Sequence, residues 1–216
     1  MRLMVISDLH GNEDALGKIK KDADTVDVLI CVGDITHFGG VSEARKALTE
    51  MRRLHTEVRA IAGNCDTREI ESFLHEEGVA LSTKAEIIKG VQFAGVGGAL
   101  PGPIDTPYEI SEEEISEALS EIPDDKDLPL VLVSHQPPYN TVADRAMKLK
   151  HVGSRSLSFW IQEHQPLLVL SGHIHESYGH KMSGPTHIIN PGAFKEGRYA
   201  LVDVDPVKHE VSAEMI

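Results

Sequence analysis

The chain has 216 residues, 41% of them hydrophobic and 25% charged, which suits a soluble globular protein with a sizeable core and not a disordered segment. Lys and Arg number 21 against 34 Asp and Glu, a formal net charge of −13. That balance weighs against tight binding to long nucleic acid and against docking on an anionic membrane, while anionic substrates stay compatible where metal ions reverse the field locally.

Two cysteines, Cys31 and Cys65, make no secreted disulfide framework, and Cys31 lies inside an apolar run as a buried reduced thiol would. The N-terminal apolar run is too short for a signal peptide, and no run approaches the roughly 18 residues of a membrane span. A cytoplasmic location follows as the expectation. No repeat or linker interrupts residues 1–216, so one domain is expected.

In chain order, Leu3 to Ser7 is a continuous apolar run, the pattern of a strand buried on both faces. Asn12 is placed to cap a helix carrying Ala15, Leu16, Ile19 and Ala23. Val28 to Val32 is the second strand. Ala44, Ala47, Leu48 and Met51 mark an amphipathic helix with Ser42 as its expected cap. Val58 to Ala62 is the third strand, and this alternation predicts a largely parallel sheet.

Glu86 to Val96 reads as a hairpin broken at Lys89-Gly90, and the Gly- and Pro-rich stretch Gly97 to Pro107 as a long loop bordering a substrate entrance. Ser111 and Glu114 form a capping box for a helix with Ile115, Ala118, Leu119 and Ile122 on one face. Leu130 to Val133 and Leu167 to Leu170 read as buried strands on either side of a helix over Ser154 to Glu163. Short strands follow Ser177, the last over Arg198 to Val204 and Val211 to Met215.

Polar residues of one chemical type stand where these apolar runs end: Asp8-Leu9-His10, Gly33-Asp34, Gly63-Asn64-Cys65-Asp66, His135, and Gly172-His173-Ile174-His175. Ligands gather at the carboxyl ends of strands in an open α/β sheet, so five strands would deliver Asp8, His10, Asp34, Asn64, His135, His173 and His175 to one crevice. Residues two apart, as in Asp8-Leu9-His10, share one side of an extended chain. Imidazole, carboxylate and amide donors suit divalent transition metals. Each motif alone is weak, since Gly-Asp is often only a turn and a lone strand-end histidine is usually just hydrogen-bonded. The conjunction of all five points to metal chemistry.

These motifs resemble the signature of the calcineurin-like metallophosphoesterase superfamily, in the same order, from Asp8 to His175. A narrower resemblance, to small prokaryotic phosphoesterases related to cyclic-AMP phosphodiesterase, rests on Ser134-His135-Gln136-Pro137-Pro138-Tyr139, Gly172-His173-Ile174-His175-Glu176-Ser177 and Asn190-Pro191-Gly192. The resemblance implies an α/β fold of two mixed β-sheets packed face to face and flanked by helices, a four-layer sandwich. It implies two divalent ions (Mn, Fe, Zn, Ni or Co), one held by Asp8, His10, Asp34 and His175, the other by Asp34, Asn64, His135 and His173. Asp34 would bridge them, and Asp34, Asn64 and His135 would carry catalysis.

The expected reaction is hydrolysis of a small phosphate ester, a nucleotide among the options, by in-line attack of a metal-bridging hydroxide. Phosphodiesters are favoured, because a diester monoanion balances the single net positive charge left by two ions, Asp8, Asp34 and one hydroxide. Where the family has a histidine after the Asn, this chain has Cys65, which puts the usual proton donor in question; His37 is a weaker candidate near the leaving group. Two alternatives are a non-catalytic metal-binding scaffold on the same fold and a nuclease acting on short nucleic acid.

Overall fold

The computed structural model describes residues 1–123, 125, 127–147 and 150–216. The first half contributes strands β1 (Arg2–Ile6), β2 (Val28–Val32), β3 (Val58–Ile61), β4 (Glu86–Ile88) and β5 (Val91–Val96). Its helices are α1 (Lys20–Ala23), α2 (Val41–Leu54), α3 (Arg68–Glu76) and α4 (Glu112–Ser120). The second half contributes β6 (Leu130–Ser134), β7 (Arg145–Ala146), β8 (Lys150–His151), α5 (Arg155–His164), β9 (Leu168–Ser171), β10 (Gly179–Ser183), β11 (Thr186–Asn190), β12 (Ala200–Asp205) and β13 (Glu210–Met215).

Two mixed sheets result, in the orders β13-β12-β1-β2-β3 and β10-β11-β9-β6-β5-β4, with β7 and β8 a small separate hairpin. β1, β2 and β3 run parallel, Val5 beside Ile30 and Ile30 beside Arg59. β5, β6, β9 and β11 are likewise parallel neighbours, while β12 returns antiparallel to β1.

Alternation along each strand decides the layering. Leu3, Val5, Val28, Ile30, Val32 and Ile61 of the first sheet form one buried cluster with Val91, Phe93, Val131, Val133, Leu168 and Leu170 of the second. The intervening Met4, Ile6, Leu29 and Cys31 instead join Ala44, Leu48 and Met51 of α2 and Ile70, Phe73 and Leu74 of α3. On the far side Ala94, Leu132, Val169 and Ile188 meet Ile115 and Leu119 of α4 and Leu157, Trp160 and Ile161 of α5. The order is helix, sheet, sheet, helix. Both faces of each central strand are covered, which is why their sequences are apolar without alternation.

Among the helices, local details depart from the sequence reading in three places. Asn12 makes no capping bond, and residues Glu13–Ile19 wind as a 3₁₀ helix before the single turn of α1. At α2 the cap is Gly40, not Ser42: Glu43 takes the Gly40 N–H (3.1 Å), and the Ser42 hydroxyl is drawn to the same carboxylate (2.8 Å). Helix α3 has no counterpart among the sequence expectations, although Thr67 caps it by accepting the Ile70 N–H (3.4 Å) and Ile70, Phe73 and Leu74 repeat at helical spacing. The Lys89-Gly90 break does turn β4 into β5, with both residues at positive φ, and Ser111 and Glu114 do exchange the two bonds of a capping box.

Candidate metal centre

Because β1, β2 and β3 run parallel in one sheet and β6 and β9 run parallel in the other, the loops that follow them leave the two sheets at one end and lie against each other. Asp8 N–H donates to Gly33 O (3.1 Å) and His10 N–H to Asp34 O (2.9 Å). Gly172 N–H donates to His135 O (3.3 Å), and His173 N–H to Asp8 Oδ2 (3.2 Å). A side chain at 63 or 172 would stand in the way: a Cβ on Gly63 would collide with the Asp34 carboxylate, and one on Gly172 with Ser7 Oγ. The lacing therefore needs glycine there.

The local backbone differs from the extended chain expected at Asp8-Leu9-His10. Asp8 (φ 56°), His10 (φ 47°), Asp34 (φ 50°) and His173 (φ 67°) all occupy the left-handed region, while Leu9 between the first two is sunk in the core. Each such residue costs on the order of 1–3 kcal/mol and persists only where its surroundings over-determine it. Both Asp8 and His10 still reach the same crevice, by curled backbone and not by strand alternation.

Two groups of donor atoms form. In the first, His175 Nε2 lies 3.3 Å from His10 Nε2 and 3.2 Å from Asp8 Oδ1, and His10 Nε2 lies 3.7 Å from Asp34 Oδ2. In the second, His135 Nε2 lies 3.0 Å from Asn64 Oδ1 and 3.4 Å from Asp34 Oδ1. The His173 ring packs against that of His135 with centroids 5.3 Å apart. Asp34 offers one oxygen to each group, and the Cys65 N–H (2.8 Å) holds it in place. All seven residues singled out in the sequence come together.

The donor set fits divalent cations. His135 Nδ1 donates to Val32 O (2.7 Å), so its neutral ring turns a lone pair toward two oxygens, Asn64 Oδ1 and Asp34 Oδ1. That arrangement calls for positive charge at its centre. Without metal a proton supplies it: burial opposes the charged ring, but Asp34 and Asp8 push His135 up to about 9. Burial would raise Asp34 and Asp8 in turn, yet His135 holds Asp34 below the usual carboxylate range, and His175 with His135 does the same for Asp8. Burial, then the charge on His135, lowers His173 to about 4, and burial lowers His10, both shifts toward the neutral ring that metal binding requires.

A cavity of about 350 Å³ opens directly onto these atoms. His10, Asp34, Asn64, His173 and His175 line one part of it, and Leu100, Gly102, Pro103, Ile104 and Thr106 line another. The 97–107 loop thus borders this cavity. A family model described as calcineurin-like phosphoesterase matches residues 1–177, which include every one of the seven converging residues. The chain belongs to that family.

Among relatives of this phosphoesterase, an uncharacterized protein of Methanocaldococcus jannaschii is 38% identical over 196 residues, 88% of each chain. Many solved structures share the fold. TT1561 of Thermus thermophilus is 23% identical with a TM-score of 0.70, over 99% of this chain and 97% of the other. A novel archaeal phosphodiesterase is 14% identical with a TM-score of 0.52, over the whole of both chains. Members of the family hydrolyse phosphate esters with divalent metals, and the Asp and His clusters support a metal-dependent phosphoesterase here. No helix among the described residues is long and apolar enough to cross a membrane.

Cys65, the departure from the family pattern, lines the cavity, and its sulfur clusters with His10 and Asp34. Burial and the Asp34 charge both push its thiol up. His37 also faces the cavity, its ring edge-on to His10 at 5.4 Å between centroids.

Three further residues of this phosphoesterase were given no role by the sequence reading. Asp66 is fully buried and accepts from Ile35 N–H (3.0 Å), Thr36 N–H (2.8 Å), the Thr36 hydroxyl (2.9 Å) and Gly63 N–H (2.9 Å), tying the loop after β2 to the loop after β3. Burial and Asp34 push it up to about 6 against those donors. Its place two residues after Asn64 in the third motif was the hint. Lys195 and Phe38 line the cavity without any local sequence signal.

Proposed function

We propose that the protein is a binuclear metal-dependent phosphodiesterase, a single domain over residues 1–216 that works in the cytoplasm on small phosphodiesters. The observation that carries the binuclear reading is Asp34, whose two oxygens face two different ligand groups, 3.7 Å from His10 Nε2 and 3.4 Å from His135 Nε2. Asp8, His10, Asp34 and His175 would hold one ion, and Asp34, Asn64, His135 and His173 the other. Mixed imidazole, carboxylate and amide donors favour Mn, Fe, Zn, Ni or Co. When bound, such ions supply Lewis acidity toward phosphoryl oxygens and an activated water at neutral pH.

The residues themselves set the substrate's charge and the fate of its proton. Two divalent ions, Asp8, Asp34 and an attacking hydroxide leave one net positive charge, which a diester monoanion neutralises and a monoester dianion overshoots. Lys195 adds a positive charge at the cavity, but its side chain is exposed and screened by solvent. With Cys65 in place of the usual histidine, a leaving group that needs no proton is the better substrate, and His37 is the remaining group placed to donate one.

The test is metal analysis of the isolated protein followed by a screen of phosphomonoesters and phosphodiesters with the metals found. Two ions per chain and faster diester turnover are expected. One ion per chain, or monoesters preferred throughout, would remove the proposal.

A further inference from the structure

Phe38 sits in a conformation that bulky side chains rarely adopt, at φ 60°, and 50% of its surface is exposed. Both features are unfavourable, since a left-handed backbone crowds Cβ and an exposed ring keeps apolar surface in water. Neither comes from looseness. Asp66 fastens Ile35 and Thr36 by their N–H groups, and Thr36 Oγ1 accepts the Gly39 N–H (3.2 Å), so the turn is tied down on both sides of Phe38. Strain that persists at a pinned, exposed position beside a reactive centre is a signal of function.

Its surroundings show what the ring could meet. Phe38 packs on His37 (centroids 4.9 Å), which itself packs edge-on against the ligand His10, so the ring lies one residue out from the metal centre. Leu100, Pro103 and Ile104 line the same cavity, and Ile104 is 70% exposed. Leu100 is anchored through its N–H to Gln136 Oε1 (3.0 Å), and Thr106 through its N–H and hydroxyl to Glu109 (3.0 and 3.1 Å), so this stretch of loop is held at both ends. One part of the cavity is therefore built for charge and another from apolar surface.

We infer that Phe38 and Ile104 form a wall that receives a flat aromatic ester group of the substrate, an aryl ring or a nucleobase, while the phosphate lies at the Asp and His clusters. The inference rests on the phosphodiesterase reading for the position of the phosphate, and it narrows the substrate class to diesters with an aromatic substituent. An aromatic partner suits a half-exposed phenyl ring because offset stacking uses both flat faces, and such stacking tolerates many ring types.

The experiment compares wild type with Phe38→Gly, a residue that takes φ 60° freely. Metal-loaded enzyme is given two p-nitrophenyl diesters with the same leaving group, one bearing a phenyl and one a methyl substituent. Separately, calorimetry measures binding of diphenyl phosphate and dimethyl phosphate. Wild type is expected to favour the aromatic member by about tenfold or more in both assays. The glycine variant should bring the ratio toward unity, with a Tm equal to or above wild type and undiminished metal content. Absence of an aromatic preference in wild type, or its survival in Phe38→Gly, overturns the wall; a lowered Tm with the preference intact marks Phe38 as structural and overturns it too. If no diester is hydrolysed but diphenyl phosphate still binds in preference, the phosphodiesterase reading fails and the wall stands.

Discussion

Removing the metal from this centre should expose a pH dependence that the loaded protein lacks. In the metal-free protein burial disfavours protonated His135, but the Asp34 and Asp8 carboxylates outweigh it and move the ring from an ordinary 6.5 up to about 9. A base raised on folding contributes stability that is complete below pH 6.5 and is lost as the pH climbs through 9. The shift corresponds to about 3 kcal/mol, a large share of a typical domain's total.

Other groups of the site leave that window clear. Asp66, pushed up to about 6, has given up its contribution by then, and the lowered His10 and His173 act only on the acid side. The thiols of Cys31 and Cys65, both raised by burial, matter only as the unfolded chain approaches their ordinary 9.0. Urea midpoints by circular dichroism should therefore fall steadily from pH 6.5 to about 8.5 in chelator and stay nearly flat with Mn²⁺, because a bound cation takes the proton's place. Asp34→Asn should flatten the chelator profile. Equal slopes with and without metal, or an undiminished slope in Asp34→Asn, would refute the assignment of His135 as the charge-compensating group.

Other substitutions probe the remaining parts of the site. Asp34→Ala should abolish activity and lower total metal content more than His10→Ala does, since Asp34 faces both ligand groups and His10 one; equal losses by metal analysis would count against a bridging role. Asp66→Ala strands the N–H groups of Ile35, Thr36 and Gly63 in the interior and should cost about 3–5 kcal/mol in chemical denaturation, where a loss under 1 kcal/mol would show the loops hold without it. Cys65→His should speed diesters with basic leaving groups by about 10²-fold while barely changing p-nitrophenyl esters. A wild type that already cleaves both kinds equally fast, together with an inert Cys65→His, would end the missing-acid explanation.

The seven candidate ligand positions were legible because each follows an apolar run, and a run buried on both faces announces a central strand whatever its neighbours are. Parallel pairing then places all such strand ends at one end of the sheets, so the gathering of Asp8, His10, Asp34, Asn64, His135, His173 and His175 needs only topology. Motif order added the family, and with it the two-sheet architecture that hydrophobic pattern alone left open. Helix α3 was missed although its cap and periodicity are present, since it falls just behind the Asn64-Cys65-Asp66 motif and reads as a continuation of that loop.

What depended on the fold itself is the set of contacts between distant segments. Asp66 is one acid among 34 in sequence, and only the approach of the loop after β2 supplies the donors that make it a clasp. The left-handed backbone at Asp8, His10 and Asp34 is accompanied by bonds to other loops, so no local propensity foretells it. The same holds for the cavity: Phe38 and Ile104 lie 66 positions apart and share it because the sheets bring their loops together. Chemical identity and strand order are properties of the chain, and they determined that a cluster of Asp, Asn and His side chains able to hold metal gathers at one end of the sheets. Which oxygen of Asp34 faces which group, and which apolar side chains share the cavity with them, are properties of side-chain packing, where many weak non-local interactions settle each rotamer at once.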